Sequence, residues 1–85
     1  MPVHILYFAW VREQIGVGME RLDVPEGIVS VADLIRWLAS RSEGHAAAMA
    51  KPARLRAAID QRFVSLDAPI ARAREIALFP PVTGG

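Results

Sequence analysis

The chain has 85 residues and a mass of 9.3 kDa; 53% of it is hydrophobic and 22% charged, with ten Lys+Arg against nine Asp+Glu and no cysteine. A chain this short supports one core and buries only about 60–65% of its unfolded surface. The nearly balanced charge leaves no footprint for nucleic acid or anionic lipid, and the lack of cysteine removes disulfides, thiolate metal sites and thiol nucleophiles together. The nine Arg and the single Lys51 read as spread along a solvated surface. The longest uncharged apolar run, residues 5–11, is far short of the roughly 20 that a membrane helix needs. Met1-Pro-Val-His4 has neither the basic nor the apolar region of a signal peptide. The expectation is a soluble cytoplasmic protein without nucleic-acid or membrane partners.

Residues 3–10 are β-branched and aromatic and predict a strand. Val3, Ile5 and Tyr7 alternate with Leu6, Phe8 and Trp10, so both faces are apolar. Such a strand is either central and covered twice, or covered once with a partner on its other face. Residues 11–16 suit one helical turn, ended by Gly16 and Gly18. Residues 20–24 alternate as a second strand, paired with the first, and Pro25-Glu-Gly27 stops it. Ser30-Val-Ala-Asp33 has the form of a capping box and opens a helix through about residue 42, with Val31, Leu34, Ile35 and Leu38 on one apolar stripe. Trp37 lies beside that stripe. Residues 44–50 predict a short second helix, closed by Pro52. Residues 55–59 and 62–65 predict a hairpin turning at Asp60-Gln61, Asp67-Ala-Pro69 is another turn, and residues 75–79 form the last strand.

The order β-β-α-(α)-β-β-β predicts an α+β fold in which a mixed sheet, its first and last strands central and parallel, packs on one main helix. That is the β-grasp, or ubiquitin-like, arrangement. It divides the chain into a domain over residues 1–79 and an extended tail over residues 80–85.

Conventional catalysis finds little support. His4 and His45 have no partners at metal-ligand spacing and read as surface or boundary residues, so no metal site is expected. Asp60 and Asp67 flank turns, where Asp caps backbone groups. Ser30 caps a helix, Ser65 has no nearby histidine, and Gly16-Val-Gly18 is too short to cradle a phosphate. The tail differs. Pro80 and Pro81 fix φ, favour extended backbone and cannot donate to a strand ladder. Gly84 and Gly85 carry no Cβ, so a terminal carboxylate there enters a channel too narrow for other residues.

Several collinear pieces point the same way: Tyr7-Phe8-Ala9 with Val11-Arg12-Glu13; Ser30-Val-Ala-Asp-Leu34; Asp60-Gln61 with Val64-Ser65; Asp67-Ala-Pro69; and Ala77-Leu-Phe-Pro-Pro-Val-Thr-Gly-Gly85. With these the chain resembles the small, sulfur-carrier subunit of molybdopterin synthase over nearly its whole length. Phe-Pro-Pro-Val-Thr-Gly-Gly is the most specific element; a bare Gly-Gly also fits thiazole-pathway carriers and ubiquitin-like modifiers. The departures are mild: the family often has Asn where Asp60 stands, and its middle helix region varies.

The resemblance implies that an adenylating, E1-like enzyme uses ATP and Mg²⁺ to activate the Gly85 carboxylate, and that a sulfur donor converts it to a thiocarboxylate. Pro80, Pro81, Val82, Thr83 and Gly84 then insert with it into a large subunit, where cyclic pyranopterin monophosphate receives the sulfur. Acid–base residues are expected on that subunit, no cofactor is expected to stay bound to this chain, and two small and two large subunits are implied to form a heterotetramer. Alternation sends Ile5, Tyr7, Val64, Ile76 and Leu78 toward the helix and Phe8, Phe63 and Phe79 to the opposite face. The resemblance places partner contacts at these three phenylalanines, with Arg12, Arg62 and Arg74 expected as a polar rim. The alternatives are a carrier for thiazole synthesis or tRNA thiolation, and a ubiquitin-like modifier or binding module.

Overall fold

The computed structural model describes residues 2–81. Strand β1 (Pro2–Tyr7) leads into helix α1 (Ala9–Ile15), and β2 (Met19–Asp23) returns antiparallel to β1. Helices α2 (Val31–Ala39) and α3 (Glu43–Ala48) follow, then a single 3-10 turn over Pro52–Arg54. Strands β3 (Arg56–Ile59), β4 (Arg62–Val64) and β5 (Glu75–Phe79) complete a five-stranded sheet of order β2-β1-β5-β3-β4. The first and last strands lie side by side at its centre and run parallel, with Ile5 opposite Ile76 and Tyr7 opposite Leu78. A parallel pair needs a long crossover, and the helices supply it.

Period-two alternation divides the sheet into two faces. Val3, Ile5, Tyr7, Ala57, Ile76 and Leu78 point inward and join Val31, Leu34, Ile35 and Leu38 of α2 in one core, which also takes in Val11 and Leu55. Helix α2 starts where its capping box forecasts: the Ser30 hydroxyl accepts from the Asp33 amide at 3.1 Å, and the Asp33 carboxylate accepts from the Ser30 and Val29 amides. It ends at Ala39, earlier than residue 42. Ser40 bonds back to the Trp37 carbonyl, and Ser42 already caps α3, its hydroxyl accepting from the His45 amide. The two short helices approach closely: a Cβ on Gly44 would come within 2.4 Å of the Gln14 carbonyl oxygen.

The first strand also ends early, which relocates Trp10. Phe8 gives its amide to the Leu78 carbonyl at 3.3 Å, and Ala9 then adopts φ 53°, a left-handed conformation that turns the chain out of the sheet. Trp10 therefore sits on α1, half-buried against the core, instead of sharing a strand face with Leu6 and Phe8. Gly16, at φ 99°, closes α1 as expected and donates to the Arg12 carbonyl. The Asp60-Gln61 turn has both residues at positive φ (48° and 72°), the geometry of a two-residue hairpin loop. Asp60 tolerates it because its carboxylate accepts the Arg74 and Glu75 amides, each at 3.0 Å, tying the turn to the start of β5.

Candidate functional site

The face of the sheet turned away from α2 has no helix over it among the described residues, and its side chains form a shallow apolar groove. Ala58 and Ala77, paired across β3 and β5, make a floor of small residues. Leu6, Phe8, Ala9, Phe63 and Phe79 make the walls, with Gln61 and Glu75 at one end and Pro80 and Pro81 at the other. Phe63 and Phe79 meet with ring centroids 5.8 Å apart, tilted by 52°. Phe63 is 83% exposed and Phe8 48%, which is unusual for phenylalanines in a chain that buries Ile5, Leu34 and Leu78 completely.

The three phenylalanines singled out from alternation thus come together, although by different routes. Phe63 and Phe79 are strand residues on the open face, paired with or next to Ala58 and Ala77. Phe8 lies just past the end of β1 as the N-terminal cap of α1, so the Ala9 turn decides its direction. Pro80 and Pro81 carry the chain off the groove's end. Val82, Thr83, Gly84 and Gly85, the rest of the expected tail, lie outside the described residues.

The arginines divide differently. Arg62 pairs with Ile59, so its side chain leaves the sheet on the core side, beside Val64, Ala68 and Pro69, and not at the groove rim. The hairpin register causes this correction: Phe63 and Arg62 are adjacent and must take opposite faces. Arg74 precedes β5 and borders a hollow with His4, Asp60, Gln61 and Glu75, at the end away from the prolines. The Arg12 guanidinium lies over Gly18, where a Cβ would approach its Nε to 3.2 Å. Register puts Arg21, opposite His4, on the groove face as well, but the cation at the aromatic end of that face is Arg56, directly opposite Phe79. Its signal was the same alternation that found Phe79, since β3 places Arg56 and Ala58 on one side.

His45 departs from expectation as well. It is only 6% exposed, with Nδ1 at 2.7 Å from the Ser42 hydroxyl and Nε2 at 2.8 Å from the Glu20 carboxylate, which also accepts the Tyr7 hydroxyl at 2.6 Å. Burial pushes the Tyr7 phenol well above its ordinary range, and the Glu20 hydrogen bond and charge add to the rise. Partial burial works against the Glu20 carboxylate, yet the bonds from Tyr7 and His45 and the nearby His45 and Arg41 charges outweigh it and hold Glu20 below its usual value. This network lies on the core side of the sheet and joins β1, β2 and α3; it does not border the groove. No group of three or more metal-ligating side chains occurs among the described residues, and none of the helices there is long and apolar enough to cross a membrane.

A mixed sheet wrapped on one main helix, with an aromatic face that the described residues leave uncovered, defines a ubiquitin-like β-grasp domain. Residues 5–85 match the ThiS family, and the chain belongs to that family. It is 39% identical over 83 residues to the molybdopterin synthase sulfur carrier subunit of Escherichia coli (strain K12), covering 98% of this chain and 99% of that one. It is 38% identical over 84 residues to the subunit of the same name from Haemophilus influenzae, again covering 98% and 99%. Among solved structures it resembles "Putative molybdopterin converting factor, subunit 1" from Pyrococcus furiosus, with a TM-score of 0.75, 29% identity, and 96% and 99% of the two chains covered.

Proposed function

We propose that this chain is the sulfur-carrier subunit of molybdopterin synthase, acting in molybdenum cofactor biosynthesis. The observation that carries the reading is the family match running through residue 85 and including Phe-Pro-Pro-Val-Thr-Gly-Gly. The near-complete coverage of relatives that bear this function in their names supports it.

The chemistry follows from what the chain has and lacks. A carboxylate is a poor electrophile until one oxygen becomes a leaving group. The Gly85 carboxylate attacks ATP on an adenylating enzyme, releasing pyrophosphate and forming an acyl-adenylate, with Mg²⁺ balancing the phosphate charge. A persulfide sulfur then attacks the acyl carbon and expels AMP. A thiol cleaves the resulting sulfur–sulfur bond and leaves a thiocarboxylate on Gly85. With no cysteine in the chain, sulfur comes from an external donor and is held at the C-terminus alone.

The groove of Phe8, Phe63 and Phe79 holds the large subunit, and residues 80–85 reach into it so that the thiocarboxylate attacks cyclic pyranopterin monophosphate. Two such transfers build a dithiolene. This chain is therefore a co-substrate and non-catalytic subunit, with acid–base groups on the partner, in a cytoplasmic heterotetramer of two small and two large subunits. The test is reconstitution. Thiocarboxylated protein, mixed with the large subunit and cyclic pyranopterin monophosphate, is expected to form molybdopterin and return Gly85 as a carboxylate. Sulfur delivery only to a thiazole-forming or tRNA-thiolating enzyme would overturn the assignment.

A further inference from the structure

Three of the cations that read as one spread, solvated surface fall within six consecutive residues, 51–56. Lys51, Arg54 and Arg56 bracket the Pro52–Arg54 turn, and all three are exposed. Lys51 and Arg54 border a small cleft with Trp10 and Gln14, where the Arg54 guanidinium lies over the Trp10 ring, 5.7 Å from its centroid. Arg56 stands opposite Phe79 on the groove face, and its Nη1 donates to the Leu55 carbonyl at 2.9 Å and the Ala53 carbonyl at 3.3 Å. Residues 44–59 contain no Asp or Glu. Among the described residues the ion pairs are Arg36 with Asp33 and His45 with Glu20, so none of these three cations has a carboxylate partner there. Three of the ten Lys+Arg gather here, and the other seven are outnumbered by the nine Asp+Glu. The result is a positive strip on an otherwise slightly negative molecule.

Its position gives the strip a use. Trp10 follows Phe8 by two residues and Arg56 faces Phe79, so the strip borders the groove at the end where Pro80 and Pro81 leave the sheet. The other end carries mixed charge from His4, Asp60, Arg74 and Glu75. An apolar groove attracts a partner without orienting it, whereas charge at one end turns the approaching surfaces into register. The bonds and stacking that hold Arg54 and Arg56 reduce the side-chain entropy lost on contact.

We propose that Lys51, Arg54 and Arg56 form an electrostatic docking strip for a carboxylate-bearing protein surface beside the opening that receives the tail. The inference rests on the carrier reading in taking the large subunit as that partner. Nucleic acid fits less well, since three cations neutralise about three phosphates where a typical binder contacts about 6–10.

The experiment measures association of the full-length chain with the large subunit from the same organism, from about 0.02 to about 0.5 M salt, a range over which screening shortens from tens of ångströms to a few. It compares the wild type with K51E/R54E/R56E and with the neutral K51Q/R54Q/R56Q, which guards against misfolding of the reversed variant. The expected result is an on-rate lowered about tenfold by reversal at low salt and by less on neutralisation, converging with wild type at high salt, with off-rates little changed. A wild type that does not bind the large subunit overturns the carrier reading and the strip with it. A wild type that binds, matched by both variants in rate and salt dependence, overturns the strip alone. Variants that bind the large subunit normally but lose retention on single-stranded RNA assign the strip to nucleic acid and overturn the proposal.

Discussion

Phe63 and Phe79 carry the groove's case one residue at a time. A phenylalanine 83% exposed, as Phe63 is, contributes little to its own fold, because the apolar surface that rewards burial is still in water. Its stabilising role begins when a partner covers it, and aromatic anchors at the centre of an interface typically dominate binding. Phe79→Ala is expected to weaken association with the large subunit at least tenfold, about 1.4 kcal/mol. Phe63→Ala is expected to weaken it too while leaving stability within about 0.5 kcal/mol of wild type. Calorimetric titration and thermal melting read these two quantities, and wild-type affinity for both variants would remove the groove from the docking account. Phe63 and Phe79 were legible in the sequence because strand alternation is a strict rule, whereas Phe8 lies past the end of β1 and reaches the groove through the Ala9 turn. The arginine rim was not legible, since Arg62 obeys the same rule against expectation and Arg56, which stands on the groove face, was passed over as one solvated cation among many.

Between elements, the Tyr7–Glu20–His45 network ties β1 and β2 to α3, and its ionisation sets a pH window. Glu20 is held below its ordinary 4.5, so the native state favours the carboxylate. Its contribution to stability is complete above about pH 4.5 and disappears as pH falls through the lowered value. Tyr7 is raised above its ordinary 10.0, so the native state favours the neutral phenol. That contribution is complete below about pH 10 and is lost as pH rises toward the raised value. Tyr7 is the only tyrosine in the chain, so phenolate absorbance reports it alone. The expected outcome is no phenolate signal at pH 10–11 until the protein unfolds, and a denaturation profile for Tyr7→Phe that lacks the alkaline loss but sits about 1 kcal/mol lower at neutral pH. Ordinary titration of Tyr7 in the folded protein would contradict this. Nothing local could reveal the network, because His45 and Glu20 are 25 positions apart. Local signals did reveal the Ser30 cap, the Gly16 stop and the Asp60-Gln61 turn. The boundary of β1 was missed because Phe8, Ala9 and Trp10 suit a strand by composition, and only the left-handed Ala9 ends it.

For the whole molecule, architecture and proposed role agree. One face of the sheet takes α2 and makes the core; among the described residues the other is left apolar and open, and the chain leaves from its end through two prolines. An apolar groove with the chain leaving its end toward Gly85 suits the proposed delivery of a group to a partner. The element order was readable because each helix and strand carries its own period and stop signals. The cluster of Lys51, Arg54 and Arg56 lies within six consecutive residues, but its place beside the groove was not readable, since a 3-10 turn, a strand register and an indole ring set it.

The central claim is that Gly85 carries sulfur, and the most direct measurement is the intact and C-terminal-peptide mass of the protein isolated from its native cells without reductive treatment. The account predicts that one oxygen is replaced by sulfur at Gly85, and that the gain is lost on incubation with the large subunit and cyclic pyranopterin monophosphate. A Gly85 that stays an ordinary carboxylate, even after incubation with ATP, the adenylating enzyme and a sulfur donor, would contradict it.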